Sequence, residues 1–345
     1  MPALLPQLSE RLSRPRWRRR LVVALLLGFV GLNGVAYAFA WAMTHYQVAT
    51  PGAPDFEQLS DWQKIGCFAT NFALPRPSCS RTPGHWANGY STLHFAGAHG
   101  LDLEAWRVPG EAGHPVVLLF HGYNASKSSL VSSARAFHEL GCETWLVDFH
   151  GSGNSAGSNS SIGYYEADDV AATIHQAVDH EATRRPLVLY GVSMGASAVL
   201  CAVHRFEIHP DALILECPFD RLVTTVGNRC NMIGLPAFPA ADLLVFWGGV
   251  QGKFNGFTYN PVNYAREVRC PTLLMQGDQD RRVGFDHAKE IAAALGEHCT
   301  FKVFPGAGHI VLIGRSEPEW RTAVTAFFNA NRLSPTPAVA VSPTR

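Results

Sequence analysis

A serine at position 193 lies in a sequence context that suits a catalytic nucleophile. Gly191 and Gly195 flank it at two residues on either side, an apolar run at residues 187–190 precedes it, and a helix-compatible segment at residues 196–203 follows. A strand that turns at once into a helix holds one side chain clear of the sheet, and the tight turn requires small residues around it. The unpaired N–H groups at the start of such a helix suit an oxyanion. Ser193 is therefore the predicted nucleophile, provided that a base and an acid follow along the chain.

A serine hydroxyl needs a base to take its proton and an acid to orient that base. In a sheet of parallel strands, such groups collect at the carboxyl ends of the strands. His309 follows the last predicted strand, at residues 301–304, and is the predicted base. The candidate acids follow the strands predicted at residues 272–276 and 212–215: Asp278 and Asp280 after the first, and Glu216 and Asp220 after the second.

Two backbone N–H groups are the predicted donors to the oxyanion. The first belongs to Met194, directly after the nucleophile. The second belongs to Tyr123, in the loop after the strand predicted at residues 116–120, and the tyrosine hydroxyl is a further candidate to face the substrate. His121 and Asp148 lie in neighbouring loops and are predicted to order those loops without a catalytic role.

Strands and helices alternate along most of the chain. The strand at residues 116–120 is wholly apolar, as expected of a strand that is buried on both faces. Alternation of this kind predicts a parallel sheet covered by helices on both faces. The glycines at residues 151–157 do not have the spacing G-x-G-x-x-G, which argues against a dinucleotide site.

Taken in order, these motifs resemble the α/β-hydrolase superfamily over residues from about 90 to 330. The matching positions are His121, Gly122 and Tyr123; Asp148 with Gly151 and Gly153; residues 191–195; residues 277–283; and Gly308 with His309. The resemblance implies a mostly parallel eight-stranded sheet flanked by helices, with a short helical cap. It favours Asp280 over Asp278 as the third member of a catalytic triad. It also implies hydrolysis of an ester or amide through an acyl-enzyme, with no metal and no organic cofactor.

The segment at residues 261–264 and the short insert before it are similar to one branch of this superfamily. That branch consists of membrane-tethered serine hydrolases described as esterase/lipase or serine-aminopeptidase-like proteins. The superfamily supports many reactions, so the resemblance does not carry over a substrate.

The N-terminal 43 residues predict a membrane anchor. Residues 1–20 hold six arginines and one acid, and residues 21–43 carry no charge. At 1.5 Å per residue the uncharged span is about 35 Å long, enough to cross a bilayer. The positive-inside rule then predicts a cytoplasmic N-terminus and a catalytic domain on the periplasmic side of a bacterial inner membrane. A cleaved signal peptide and a secreted protein are the alternative, because residues 36–40 resemble cleavage sites.

The rest of the chain divides by composition and pattern. Residues 44–92 are predicted to be a juxtamembrane linker and N-terminal wrap, residues 93–332 the hydrolase domain, and residues 333–345 a disordered tail. From residue 21 onward the net charge is −5, which argues against a nucleic-acid partner. The oligomeric state stays open.

Eight cysteines include no C-x-x-C pair, which argues against a zinc site. Cys67 and Cys79 are a candidate disulfide in an oxidising compartment, and a pair of free thiols is the alternative.

An apolar insert at residues 220–269, the cap, is placed to cover Ser193. Phe246 and Trp247 are its predicted substrate-binding residues, in an apolar pocket for an acyl group. The alternative is that these side chains only pack the cap onto the domain. The favoured substrate is a small-molecule or lipid-like ester. The rival hypotheses are a peptidase or amidase of the same fold and a non-catalytic membrane-tethered scaffold.

Overall fold

A computed structural model describes the chain over four ranges: residues 16–47, 74–87, 89–180 and 185–333. Three predicted segments lie wholly or partly outside these ranges, namely the basic N-terminus, the linker and the C-terminal tail. Cys67 also lies outside them. Cys79 carries a free thiol, whose Sγ lies 3.7 Å from a carboxylate oxygen of Asp148.

Eight of the ten strands within these four ranges form one mostly parallel sheet, as predicted. The strands are β1 (Tyr46–Gln47), β2 (Leu74–Pro75), β3 (Ser91–Ala96), β4 (Asp102–Val108), β5 (Val116–Phe120), β6 (Glu143–Val147), β7 (Leu187–Val192), β8 (Ala212–Glu216), β9 (Thr272–Gly277) and β10 (Cys299–Phe304). The order across the large sheet is β10-β9-β8-β7-β5-β6-β4-β3. The pairs β3–β4 and β4–β6 are antiparallel, and the other pairs of this sheet are parallel. β1 and β2 form a separate parallel pair.

Helices cover both faces of the sheet. They are α1 (Arg16–Thr44), α2 (Val131–His138), α3 (Glu166–His180), α4 (Met194–Phe206), α5 (Leu222–Met232), α6 (Ala237–Gly252), α7 (Pro261–Tyr264), α8 (Phe285–Leu295) and α9 (Glu317–Ala330). Side chains alternate between the two faces of a strand. In β5, Leu118 and Phe120 therefore join a core shared with α3, α4 and α8, whereas Val117 and Leu119 join a second core shared with α2 and α9.

Helix α1 begins at Arg16, five residues before the predicted span, and ends at Thr44. Within the described ranges, the segment Trp17–Thr44 is the one helix that is long and apolar enough to cross a membrane. Its two parts have different surroundings. Residues 17–35 are largely exposed, whereas Ala36, Ala40 and Ala42 are buried against the rest of the domain.

The cap contains α5, α6 and α7 and lies between β8 and β9. Its longest helix, α6, packs against both α5 and α1. The residues after α1 continue over the domain, because the Tyr46 N–H donates to the Ser158 carbonyl at 2.7 Å. The cap and the N-terminal helix are therefore direct neighbours, which the sequence did not predict.

Candidate active site

The three side chains predicted as a triad meet at the carboxyl edge of the sheet. His309 Nε2 lies 2.8 Å from Ser193 Oγ, and His309 Nδ1 lies 2.7 Å from a carboxylate oxygen of Asp280. The three residues follow β7, β9 and β10, whose parallel strands end at the same edge. This arrangement is suited to moving a proton from the hydroxyl to the imidazole while the carboxylate orients the ring.

The backbone at Ser193 explains why its side chain stands clear of the sheet. Its φ is +52° and its ψ is −113°, a strained conformation for a residue with a side chain. A Cβ at Gly195 would lie 2.3 Å from the Phe120 carbonyl oxygen, and one at Gly191 would lie 2.6 Å from the backbone of Ala196. The two glycines that mark the motif are therefore steric requirements of this turn.

Asp280 is buried, and several donors surround its carboxylate. One oxygen accepts the Gln276 Nε2–H at 3.0 Å, and the other accepts the N–H groups of Arg282 at 2.9 Å and Val283 at 3.1 Å. Burial acts to raise the pKa of Asp280. The hydrogen bond and charge of His309, together with the backbone donors, outweigh burial and lower the pKa below its usual value of 3.8. Asp280 is thus ionised at neutral pH.

Two of the other candidate acids have contacts elsewhere. Asp278 accepts the Gly306 N–H at 2.7 Å, and Asp220 pairs with the Arg221 guanidinium at 2.6 Å. The contact with His309 is thus made by the acid that the family resemblance favoured.

Glu216, the remaining candidate acid, holds the loop that follows His309. Its carboxylate accepts the Leu312 N–H at 2.8 Å, the Trp320 indole N–H at 2.6 Å and the Tyr190 hydroxyl at 2.7 Å. Burial raises the pKa of Glu216. Because Leu312 lies three residues after His309, this network fixes the base relative to the sheet. The sequence had offered Glu216 only as an alternative acid.

The loop after β5 passes beside the nucleophile. A Cβ at Gly122 would lie 3.5 Å from the Ser193 Cβ, so the backbone that leads into Tyr123 runs close to the serine. Met194 opens α4, and the first N–H groups of a helix have no acceptor within that helix. The Tyr123 hydroxyl was a candidate to face the substrate, but it donates instead to the Met43 carbonyl of α1.

His121 and Asp148 order the loops at this edge. The Phe149 N–H donates to His121 Nε2 at 3.2 Å, and the Lys127 N–H donates to Asp148 at 2.7 Å. Burial lowers the pKa of His121, so its ring is neutral at pH 7 and accepts this hydrogen bond. The Lys127 ammonium also pairs with Asp148, and its side chain is buried.

Solved structures of hydrolases share this architecture. Esterase Pf2001 of Pyrococcus furiosus superposes with a TM-score of 0.63 at 20% identity and covers 74% of this chain and 96% of its own. XC6422 from Xanthomonas campestris, described as an α/β serine hydrolase without a lid, superposes with a TM-score of 0.51 at 22% identity over 73% of this chain and 98% of its own. The chain has the α/β-hydrolase fold.

Comparisons of sequence agree with this α/β-hydrolase assignment. The family model described as serine aminopeptidase, S33, matches residues 112–241. The lysophosphatidylserine lipase ABHD12 of Danio rerio is 25% identical over 199 residues, which are 56% of this chain and 50% of that lipase. The chain spans between half and two thirds of the length of the curated relatives it matches. The resemblance to the α/β-hydrolase superfamily is confirmed.

An apolar cavity of about 40 Å³ lies between the cap and α1. A single water needs roughly 10–15 Å³ on the same scale, so the cavity has room for a short apolar chain. Three parts of the chain supply its walls. The lining residues are Ala40, Met43 and Thr44 of α1; Ser161 and Ile162 of the loop before α3; and Leu222, Val226, Leu244, Val245, Gly248, Gly249 and Phe254 of the cap.

The predicted substrate-binding residues Phe246 and Trp247 are not among the residues that line this cavity. Helix α6 presents Val245 and Gly249 to the cavity, and successive helical residues are about 100° apart. Phe246 therefore points outward and is half exposed, and Trp247 faces α1, where its indole N–H donates to Asn33 at 3.1 Å. The position of a residue around the helix axis therefore decides which side chains of α6 face the cavity.

Among the residues that the structure describes, two groups of side chains have atoms close enough to share a metal ion. One consists of Cys217, Asp280 and His309, and the other of Asp220, His287 and Glu290. In the first, both ring nitrogens of His309 already contact members of the triad. In the second, the Arg221 guanidinium lies 2.6 Å from Asp220 and 2.8 Å from Glu290 and supplies the positive charge itself.

Proposed function

We propose that the protein is a serine hydrolase that cleaves carboxylic esters through an acyl-enzyme. The observation that carries this proposal is the continuous hydrogen-bonded chain from Asp280 through His309 to Ser193, with distances of 2.7 and 2.8 Å. A chain of this kind raises the nucleophilicity of a hydroxyl that is otherwise weak at neutral pH.

The proposed reaction follows from the position of each atom. His309 Nε2 takes the proton of Ser193 Oγ while that oxygen attacks the ester carbonyl carbon. The negative charge that develops on the carbonyl oxygen is stabilised by the N–H groups of Met194 and Tyr123. The protonated His309 then gives its proton to the leaving alcohol, which leaves an acyl group on Ser193. Water, activated by His309 in the same way, releases the acid.

The cavity favours an ester with an apolar acyl group over a peptide. An aminopeptidase would need an acidic side chain to bind the free amino group of its substrate. The described residues that line the cavity are apolar apart from Thr44 and Ser161, and none of them is acidic. The relative ABHD12 is named a lysophosphatidylserine lipase, which also supports a lipid-like ester as the substrate.

Activity-based labelling tests this proposal. The full-length protein in detergent is treated with a fluorophosphonate probe, and its turnover of acyl esters is compared with that of aminoacyl amides. We expect labelling at Ser193, loss of labelling in Ser193→Ala, and faster turnover of the esters. Labelling with faster turnover of amides would favour the peptidase, and an unlabelled protein that turns over neither class would favour the scaffold.

We also propose that α1 is an uncleaved membrane anchor with the N-terminus in the cytoplasm and the catalytic domain on the periplasmic side of a bacterial inner membrane. The support is an apolar helix with exposed residues 17–35 and arginines at its N-terminal end. In a bacterial host, a tag after Arg345 should be cleaved by protease added to spheroplasts. Mature protein that begins near Phe39 would indicate a signal peptide instead, and a protected tag would indicate the opposite topology.

A further inference from the structure

The C-terminal end of α1 has contacts that a simple tether does not need. It is joined directly to the cap by two hydrogen bonds: the Trp247 indole N–H donates to Asn33, and Gln251 Nε2 donates to the Tyr37 carbonyl at 2.9 Å. The Tyr37 ring also meets the Trp247 ring edge-on, with centroids 5.4 Å apart. Directional contacts of this kind fix how two apolar helices rotate and slide relative to each other.

The same end of α1 forms one wall of the cap cavity. Ala40 and Met43 lie on the side opposite the α6 residues Leu244 and Gly248. A Cβ added at Gly248 would meet no atom within 4 Å, so open space lies beside this glycine. Without α1, the cavity would be an open groove on the cap.

The wall is connected to both predicted oxyanion donors. On one side, the Met43 carbonyl accepts the hydroxyl of Tyr123. On the other side, the Thr44 carbonyl accepts the Ser160 N–H at 2.8 Å, and the Ser160 hydroxyl lies 3.6 Å from Met194 Sδ. The last turn of α1, which lines the cavity, is therefore linked to Tyr123 on one side of the nucleophile and, through Ser160, to Met194 on the other.

We propose that the acyl chain of the ester substrate lies between α1 and α6, so that the N-terminal helix is part of the substrate-binding site. This inference rests on the proposed function. The occupant is an unbranched apolar acyl chain, because the wall residues Ala40 and Met43 and the opposing Leu244 offer apolar contact without charge. Met43 and Gly248 set the length of chain that fits.

Two substitutions test the proposal, one that makes the cavity smaller and one that makes it larger. Gly248→Leu adds a side chain where space is open, and a leucine at a helical glycine suits the helix. Met43→Ala removes side-chain atoms from the α1 wall and keeps the backbone carbonyl that Tyr123 uses. The matched control is Gly31→Leu, at an exposed glycine of α1 that also has no atom within 4 Å of an added Cβ.

The measurement is kcat/KM of the full-length protein in detergent for a series of unbranched acyl esters from acetyl upward. Each methylene that fits in the cavity should raise kcat/KM by up to about fourfold. Gly248→Leu should lower kcat/KM for the best ester at least about tenfold, with a change of less than about twofold for acetyl. Met43→Ala should shift the preferred length by one to three carbons, as roughly expected from the atoms removed, and Gly31→Leu should match the unaltered protein.

Failure of this inference is distinguishable from failure of the proposed function. If Gly248→Leu and Met43→Ala keep the unaltered length profile while esters are still cleaved, the acyl chain does not lie between α1 and α6, although the hydrolase proposal stands. If the unaltered protein cleaves no ester in the series and Ser193 is not labelled by the fluorophosphonate probe, both proposals are wrong.

Discussion

The catalytic edge of the sheet and the contact between α1 and the cap differ in how their side chains are held. At the edge, hydrogen bonds of 2.7 and 2.8 Å join Asp280, His309 and Ser193, and donors contact both oxygens of the aspartate. Between α1 and α6, apolar residues of both helices line a cavity, and two side-chain hydrogen bonds, from Trp247 to Asn33 and from Gln251 to Tyr37, join the helices.

This difference separates two tasks. Proton transfer requires atoms at fixed distances, and a rigid sheet with satisfied polar groups provides them. An apolar chain needs only space and contact, which helices packed through small residues provide, and such contact tolerates changes of side chain. Substitutions at the edge should therefore change the rate for every substrate, whereas substitutions between α1 and the cap should change the order of preference among substrates.

The largest effect is expected at Ser193 and His309. Ser193→Ala and His309→Ala should each lower kcat by about 10⁶-fold, and the double variant should be little worse than either, because the residues act as one unit. Steady-state rates on a single acetyl ester measure this. Losses that multiply in the double variant would contradict the triad. The fold-loss in kcat should be the same for esters of every acyl length, whereas substitutions in the cap should change the preferred length.

The next largest effect is expected at the acid. Asp280→Asn should lower kcat about 10⁴-fold, because the imidazole loses the partner that fixes its tautomer. Asp278→Asn is the matched control in the same loop and should change kcat by less than about threefold. A greater loss in Asp278→Asn than in Asp280→Asn would show that the acid is wrongly assigned.

A pH-dependent effect is expected at His150, which follows β6 and pairs with Asp169 of α3. Burial alone would lower the pKa of His150, but its hydrogen bond to Asp169 and the nearby charge of Glu166 raise the pKa to about 9. Because the folded pKa exceeds the unfolded value, this contact adds stability that is fully present below pH 6.5 and is lost as the pH rises through about 9. The contribution is at most about 3 kcal/mol.

Thermal unfolding in detergent between pH 6 and 10 measures this contribution. The unaltered protein should lose stability over that window, and His150→Gln should be less stable at pH 6 and lose less as the pH rises. The control is His94→Gln, at an exposed histidine that pairs with Asp102, which should follow the unaltered profile. Parallel profiles for His150→Gln and the unaltered protein would contradict the prediction.

The smallest effect is expected at Tyr123, whose hydroxyl links the oxyanion loop to α1. Tyr123→Phe should lower kcat by about two- to tenfold for all esters, with little change in KM, because one hydrogen bond that positions the loop is lost. Tyr165→Phe is the control, since its exposed hydroxyl also donates to a backbone carbonyl, that of Lys253 at 3.2 Å. A change in KM alone would mean that Tyr123 acts on substrate binding and not on the loop.

Two residues of the catalytic edge, Ser193 and His309, could be predicted from local sequence. Ser193 lies in a turn whose glycines are sterically required, and His309 directly follows a strand. The choice between Asp278 and Asp280 depended on the family resemblance, since spacing along a loop does not show which side chain turns toward the base. The contact of Glu216 with the loop after His309 could not be predicted from spacing, because its partner Leu312 lies 96 residues away along the chain.

The contact between α1 and the cap could not be predicted from local patterns. Trp247 and Asn33 are 214 residues apart, and neither lies in a motif. One signal was present: Asn33 is the strongly polar residue in an otherwise apolar span, and such a side chain in an apolar helix usually has a partner. That observation predicts a contact but does not identify Trp247.

The fixed junction between α1 and the cap has a consequence for the membrane in which we propose that α1 lies. Residues 17–35 span about 29 Å at 1.5 Å per residue, close to the thickness of a hydrocarbon core. When a flexible linker joins a domain to its membrane anchor, a thicker or thinner bilayer tilts the anchor without moving the domain. Here a difference between the length of the apolar helix and the thickness of the bilayer would tilt α1. Because Trp247 and Gln251 are hydrogen-bonded to α1, the cap would move with it. A change in bilayer thickness would then be expected to shift the cap through the tilt of α1.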